Sequence, residues 1–459
     1  MYSVEHQQRW LILAHAFNMD GRAASQTITD KIPHLQAAGI ELVVLSGVSG
    51  THDTRFEHHQ LWCAGPAGLR FELRHVLQKR LGKGLAYRLL LLLASLLLLP
   101  FMLVEKLLRP IESSWSWWLS AYLKGRQLAS QQPFDLIYST GGAFAAHVAA
   151  RALKQATGTP WLAEVHDPFV TPGVVNAHPT AQQRMQARVE QLICSHADVA
   201  VWFTNQALAS ALARNPQLGN KGRVMLPGVD KPFKDMPPYL PGVKMVVGHF
   251  GSLSATRNLT PMFKAMEQLH ANNPAELSQL VLHITGGPLD EVSAAYLQGM
   301  QPEIRQAVQH LGRIEHDPAT GMSGREQILR RMRATDVLLL LHGQEPICAE
   351  YMPSKMYEYL WMQRPILATV HLNPQMDDIL QTQGHRVVNT SLQTVDETAQ
   401  ELAKHLNQLL EQWATTGLPD SGLESPYATA ASVGQLIGWV NEEGEWGVRK
   451  PDFFVDNTL

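Results

Sequence analysis

Short apolar runs alternate with amphipathic stretches along most of the chain, the pattern of parallel strands joined by helical crossovers. In the first half, the runs expected as strands are Trp10–Phe17, Glu41–Ser46, Phe134–Ser139, Pro160–Val165 and Val199–Phe203. A second series covers Met245–Phe250, Leu280–Thr285, Val308–Leu311, Val337–Leu341 and Pro365–Val370. Residues 226–244, between the two series, hold Pro227, Pro232, Pro237, Pro238 and Pro241. Such proline density suits neither helix nor strand and predicts a linker. The pattern therefore predicts an α/β protein with one domain over residues 1–225, a second over 245–415, and a less periodic segment over 416–459.

One stretch breaks the alternation. Leu89 to Val104 is an uncharged run interrupted by Pro100. It is shorter than the ~20 residues a bilayer span needs, and Pro100 is expected to bend it. A single span would also set the strands before and after it on opposite sides of a membrane. Residues 70–118 are therefore expected to form a monotopic or re-entrant hairpin that enters one leaflet. Arg70, Arg74, Lys79, Arg80, Lys83 and Arg88 precede the run, and Lys106, Arg109, Trp115, Trp117 and Trp118 follow it. Basic groups favour anionic headgroups and tryptophan favours the interface.

Composition narrows the class further. With 45% hydrophobic residues in 459, the chain can bury two sizeable cores. A net charge of −3 gives no reason to expect nucleic acid. Cys63, Cys194 and Cys348 are too widely spaced for a sequence-local metal motif or a disulfide framework, so no metal site is expected and a reducing cytoplasm is. The first residues run straight into an apolar strand, without the pattern of a signal peptide.

The densest chemistry lies at residues 351–368. A helix starting at Pro353 would set Ser354, Lys355 and Glu358 on one face. Its free N–H groups and the Lys355 ammonium suit a diphosphate, and Glu358 could accept hydrogen bonds from ribose hydroxyls. Glu350 precedes Glu358 by eight positions, in a loop between the apolar runs Ala334–Gly343 and Arg364–Val370. That loop belongs to the carboxyl edge of a parallel sheet, where ligands of this architecture bind.

Through Pro353-Ser354-Lys355-Met356-Tyr357-Glu358-Tyr359 the chain resembles the retaining GT-B glycosyltransferases of family 4, in their bacterial polysaccharide and lipid-linked oligosaccharide branch. Phe134–Thr140, Pro160–Pro168, Gly251–Asn258, and His310–His316 with Ala334–Asp336 match in the same order. The resemblance implies two Rossmann-like domains facing a cleft, the apolar hairpin lying in the first and residues 416–459 returning to it. It implies a UDP-, GDP- or dTDP-sugar donor and no metal. On the donor side it implies Gly251, Ser252 and Arg257 at the diphosphate turn, Ser354 and Lys355 at the helix start, and Glu358 on the ribose. Ser252 stands where the family often has a second basic residue. Arg257 and Lys355 would neutralise the leaving diphosphate, and Glu350, or Glu345 in the same loop, would meet the donor sugar. His166 would orient a hydroxyl or transfer a proton, or else is a structural histidine. Gly21, Gly141, Gly142 and Asp167 would face the acceptor, with the glycine amides near an acceptor phosphate.

Joined to a membrane-associating insert, this points to a polyprenyl-diphosphate-linked saccharide acceptor on the cytoplasmic face of the inner membrane. A non-hydrolysing nucleotide-sugar epimerase and a catalytically inactive scaffold of an assembly complex are the competing readings. The products separate them, since only a transferase releases free nucleotide and a heavier lipid.

Overall fold

The computed structural model describes residues 7–19, 22–109, 111–173 and 178–442. These fall into two compact units, one running to Pro227 and including the last helix, Thr429–Glu442, and the other spanning Gly228–Ala428.

The first unit is built on seven parallel strands: β1 (Arg9–Leu13), β2 (Glu41–Gly47), β3 (Glu57–Leu61), β4 (Leu136–Thr140), β5 (Trp161–Val165), β6 (Val199–Trp202) and β7 (Gly222–Val224). Their order in the sheet is β3-β2-β1-β4-β5-β6-β7, so the winding reverses between β1 and β4. Strands β1, β4, β5 and β6 are buried throughout, which explains their near-continuous apolar sequence. Helices cover both faces. One core gathers Leu11, Leu13, Trp117 and Trp161; the other gathers Trp10, Ile12 and Tyr138 with Val433 and Leu436 of the last helix. Strand β1 stops at Leu13, four residues before its apolar run does, because Ala14–Phe17 turns off the sheet.

Strand β3 is absent from the expected set. Its sequence, Glu-His-His-Gln-Leu, is polar because it forms the sheet edge, where one flank has no strand neighbour. The first-unit helices used below are α1 (Ala23–Ala37), α2 (Pro66–Leu81), α3 (Leu85–Leu108), α4 (Trp117–Gln131) and α5 (Phe144–Thr157).

Helices α2 and α3 form the hairpin, and two expectations about it are corrected. First, α3 is one 24-residue helix that passes through Pro100, because Leu85–Arg88 and Glu105–Leu108 extend it beyond the uncharged run. At 1.5 Å per residue this is about 36 Å, enough by length to cross a bilayer. Second, Trp117 is no interfacial anchor: it is fully buried in the core.

Hydrogen bonds tie the hairpin together and to its unit along its length. Glu105 at the end of α3 accepts hydrogen bonds from the Ala67 amide and the Trp115 indole, both at 2.7 Å. Arg70 bonds Ser95 midway at 2.8 Å. Near the far end, Lys79 bonds the Gly50 carbonyl of the β2–β3 connection. Helix α2 is thus fastened along the unit, with α3 laid over it. A stripe of half-buried residues on α3, Tyr87, Leu91, Ser95, Leu98 and Met102, faces α2 at three-and-four spacing. The rest of its circumference is mainly exposed leucine, with Phe101 and Val104. The turn Gly82–Gly84 carries Lys83 and is flanked by Lys79, Arg80 and Arg88, so it is a charged end and not an apolar tip.

The second unit has six parallel strands: β8 (Met245–Phe250), β9 (Leu280–Thr285), β10 (Val308–Gly312), β11 (Val337–Leu341), β12 (Ile366–Val370) and β13 (Arg386–Asn389). The order is β10-β9-β8-β11-β12-β13, again reversing after the first strand. Residues between β7 and β8 form no helix or strand. Within the unit, Arg364 anchors part of this tract: its guanidinium lies 3.4 Å from the Tyr239 ring centroid and bonds the Leu418 carbonyl at 2.8 Å.

Candidate functional sites at the two reversal points

In each sheet, the loops leaving the two strands at the reversal part to opposite sides and open a crevice at the carboxyl edge. Both crevices hold polar side chains.

In the second unit, Gly251 leaves β8 with φ +155° and donates its amide to the Thr285 carbonyl at 2.9 Å. Gly286, at φ +154°, lies directly against it. A Cβ on Gly286 would sit 2.0 Å from the Gly251 carbonyl oxygen, so only glycine lets the two loops lie together. The sequence reading missed Gly286, although Thr285-Gly286-Gly287 after an apolar strand was an available signal.

Residues 254–257 form a tight turn that presents Arg257. The guanidinium donates to the Ser252 carbonyl, the Ser252 hydroxyl and the Tyr351 hydroxyl, each at 3.2 Å. Ser252 therefore holds Arg257 in place, where a second cation was the family's usual choice. Glu345 accepts a 2.9 Å hydrogen bond from Thr256 of the same turn, while Glu350 is buried in the 3-10 turn Pro346–Glu350.

The following helix is Ser354–Trp361, and Pro353 is its N-cap at ψ 128°, one position earlier than the expected role. The Phe250 amide donates to the Tyr359 hydroxyl at 3.1 Å, which pins this helix against the end of β8. Ser354 is exposed and Lys355 partly so. Lys355 and Glu358 pair with each other at 2.6 Å, and Arg325, unforeseen from sequence, lies 3.8 Å from Glu358. A diphosphate and a ribose would have to exchange for this internal pair. His249, buried in β8 with its Nδ1 3.2 Å from the Leu339 carbonyl, is pushed down to about 4 by burial, with the fields of Arg257 and Lys355 adding to the shift. It stays neutral at physiological pH.

In the first unit, a cavity of about 330 Å³ opens at the ends of β1 and β4, lined by His15, Arg22, Glu112, Thr140, Gly142 and Asp167 among others. Gly141 also lines it, whereas Gly21 lies outside the described residues. Glu112 accepts the Phe144 amide at 3.0 Å at the start of α5. The amide at the start of α5 is thus taken by the chain's own carboxyl group.

Burial raises the Glu112 carboxyl to about 7. A carboxyl raised on folding binds more protons in the native state, so its contribution to stability falls as pH rises from about 4.5 to 7. Glu112→Gln keeps an acceptor for the Phe144 amide. It should melt higher than wild type at pH 8 and no higher at pH 4, which thermal denaturation at the two pH values would test. A wild-type advantage at pH 8 would show that the carboxylate is not strained.

His166 does not line this cavity; Thr140 and Asp167 beside it do. Its Nε2 lies 2.8 Å from both the Glu164 carboxylate and the Thr140 hydroxyl, and its ring stacks on Phe203 at 4.9 Å. Glu164 also takes the Lys31 ammonium and, at 2.7 Å, the Tyr138 hydroxyl, all fully buried. This geometry favours the structural reading of His166. Lys31, Glu164 and Tyr138 were missed because α1, β4 and β5 bring them together from well-separated points of the chain.

Residues 23–227 match a glycosyl transferase 4-like domain. Among solved structures, TarM superposes with a TM-score of 0.60 at 9% identity, over 96% of this chain and 99% of that one. The lipopolysaccharide outer core galactosyltransferase WaaB gives 0.52 at 11%, over 94% and 99%. An E. coli trehalose-6-phosphate structure bound with UDP-2-fluoro glucose gives 0.53 at 14%, over 96% and 97%. At these identities the likeness establishes the GT-B fold. No curated protein matches at the level of sequence.

Proposed function

We propose that this chain, a GT-B glycosyltransferase of the family 4-like type, transfers a sugar with retention from a nucleotide-sugar to a lipid-linked saccharide at the cytoplasmic face of a membrane. The observation that carries the lipid-linked reading is the exposed apolar surface of α3. Leu92, Leu93, Leu96 and Leu97 are each more than half exposed, in a helix with no buried residue. Monomeric proteins in water rarely leave so long an apolar face uncovered.

In this reading the donor diphosphate lies against the Gly251 loop and exchanges for the Lys355–Glu358 pair. Lys355 then turns to the phosphates and Glu358 to the ribose. Ser354, with its backbone at the helix start, supplies a further donor. Arg257, braced by Ser252 and Tyr351, neutralises the departing diphosphate without rearranging, which is how fixed charges lower a barrier. Glu350 or Glu345 meets the donor sugar. The cavity holding Glu112, Arg22 and Asp167 receives the acceptor, and a carboxyl that is half-protonated near neutrality can both donate to and accept from a sugar hydroxyl. That polyprenyl diphosphate carries the saccharide is part of the proposal, as is the choice among UDP-, GDP- and dTDP-sugars.

The test is transfer itself. Full-length protein in detergent is mixed with each nucleotide-sugar and a polyprenyl-diphosphate saccharide, and the lipid is weighed by mass spectrometry. One donor should yield free nucleoside diphosphate and a lipid heavier by one sugar. A new free nucleotide-sugar with unchanged lipid would establish epimerisation and overturn the proposal.

Lys355→Ala should weaken donor binding by about 10- to 100-fold, the worth of a charge-assisted phosphate contact. Its effect on folding should stay under about 1 kcal/mol, since the pair it breaks is partly exposed. Donor affinity unchanged in the folded variant would move the diphosphate away from this helix.

A further inference from the structure

Three side chains distant in sequence meet beneath the hairpin. His15 comes from the loop after β1, Cys63 from the loop after β3, and Glu72 from α2, and all three are buried. Cys63 Sγ lies 3.2 Å from Glu72 Oε1, His15 Nε2 lies 3.4 Å from the same oxygen, and the sulfur and nitrogen are 3.8 Å apart. We propose that these three atoms bind a zinc-type divalent ion, which clamps the hairpin to the edge of the first sheet.

The triangle has the right size. Tetrahedral zinc with its usual bonds to sulfur, nitrogen and oxygen sets those atoms about 3.3–3.6 Å apart. The three separations bracket that range without moving the backbone.

Charge gives a second reason. Glu72 is fully buried, and its partners among the described residues are the Cys63 amide and thiol and His15, with no lysine or arginine. A buried carboxylate needs a compensating charge, which a protonated His15 or a divalent ion supplies, and only the ion also satisfies the thiol beside it.

The surroundings are shaped for the cluster. A Cβ on Gly68 would lie 2.7 Å from Cys63 Sγ, and one on Gly47 would lie 3.0 Å from His15 Nε2. The Cys63 amide donates to Glu72 Oε2 at 2.7 Å, leaving Oε1 to the cluster, the kind of outer bond that orients a ligating carboxylate. Trp117 meets the His15 ring edge-on at 5.5 Å and packs against it.

One thiol, one imidazole and one carboxylate suit zinc or cobalt over calcium or magnesium, which prefer oxygen. On binding, Cys63 releases its proton to solvent and no electron moves. A water completes the coordination. Three protein ligands leave the fourth position open, and the ion joins α2, and through it the exposed α3, to the loops of β1 and β3. No motif announces the site, because its ligands are 48 and 9 residues apart along the chain.

The test uses the full-length protein in detergent, purified without chelator for elemental analysis, then stripped and titrated with Co²⁺ alone. The expected result is one zinc per chain as purified, and with cobalt a thiolate-to-metal absorption band in the near ultraviolet. Cys63→Ser should abolish the band, while Cys194→Ser and Cys348→Ser should retain it. Glu72→Gln, which keeps the side-chain volume but removes the anionic oxygen ligand, should bind cobalt more weakly than wild type. The wild-type spectrum is decisive even if Cys63→Ser does not fold. A wild-type protein without metal or cobalt band, or a band insensitive to both Cys63→Ser and Glu72→Gln, would overturn the site and leave a hydrogen-bonded cluster. His15 also lines the first-unit cavity, so metal content and the cobalt band are read without substrate, and transfer is read separately by the lipid-product assay.

Discussion

Lys31→Met is expected to lower unfolding stability by about 3–5 kcal/mol, because it leaves the fully buried Glu164 without its cation. Burial by itself would push the Glu164 carboxyl up. The Lys31 ammonium, joined by the His166 hydrogen bond, outweighs burial and holds it below the ordinary carboxylate range. A carboxyl depressed on folding contributes stability above its unfolded value, and the contribution is lost as pH falls through the folded one. The gap between wild type and Lys31→Met should therefore be wider at pH 7 than at pH 4, because the variant's buried Glu164, without its cation, is pushed up and is relieved by protonation as pH falls, at a higher pH than in wild type. Urea denaturation at pH 7 and pH 4 measures both. Lys31→Met combined with Glu164→Gln should recover much of the loss, since replacing both charges removes the unpaired one. A single variant as stable as wild type would show that Glu164 finds its charge elsewhere.

The network also bears on what a sequence can disclose. The two sheets were legible because strands buried on both faces must be continuously apolar, as in Val337–Leu341. The polar edge strand β3 breaks that rule and was invisible. The helix at Lys355 was legible because its chemistry is local: Pro353, Ser354, Lys355 and Glu358 lie within one turn or two. Their mutual pairing was not, since a family's ligand-facing roles say nothing about which partners the side chains take without the ligand.

Buried polar clusters fared worst. Glu164 reads as one acid inside a strand, and Lys31 as a helix-surface lysine, until α1 folds onto β5. His15, Cys63 and Glu72 carry the same lesson. Trp117 misled in the opposite direction: beside a leucine-rich run a tryptophan suggests an interface, yet the position after the hairpin is where α4 enters the core.

Replacing the exposed Leu92, Leu93, Leu96 and Leu97 with serine is expected to release the protein from membranes as a folded, donor-binding protein. Leu91, half-buried against α2, is left unchanged. A fully buried leucine contributes about 1.5–3 kcal/mol, so half of that at each of four positions is about 3–6 kcal/mol, or at least a 100-fold shift in partitioning. Wild type should sediment with vesicles and stay bound at high salt, because apolar burial is not screened, whereas attraction of Lys79, Arg80, Lys83 and Arg88 to headgroups is. The geometry further specifies how α3 meets the bilayer. Helix α3 is held to α2 and Trp115 through Glu105, α2 is held to the Gly50 carbonyl through Lys79, and β3 and β4 on either side share one sheet. The helix should therefore lie in the plane of the interface with its leucines down. Cysteines placed at Lys83 and Arg109 should react with an impermeant reagent from the same side of a sealed vesicle. Labelling from opposite sides would mean that α3 crosses the membrane and that the hairpin opens to let it. A wild-type protein that stays in solution without detergent would remove the membrane, and with it the strongest reason to expect a lipid-linked acceptor.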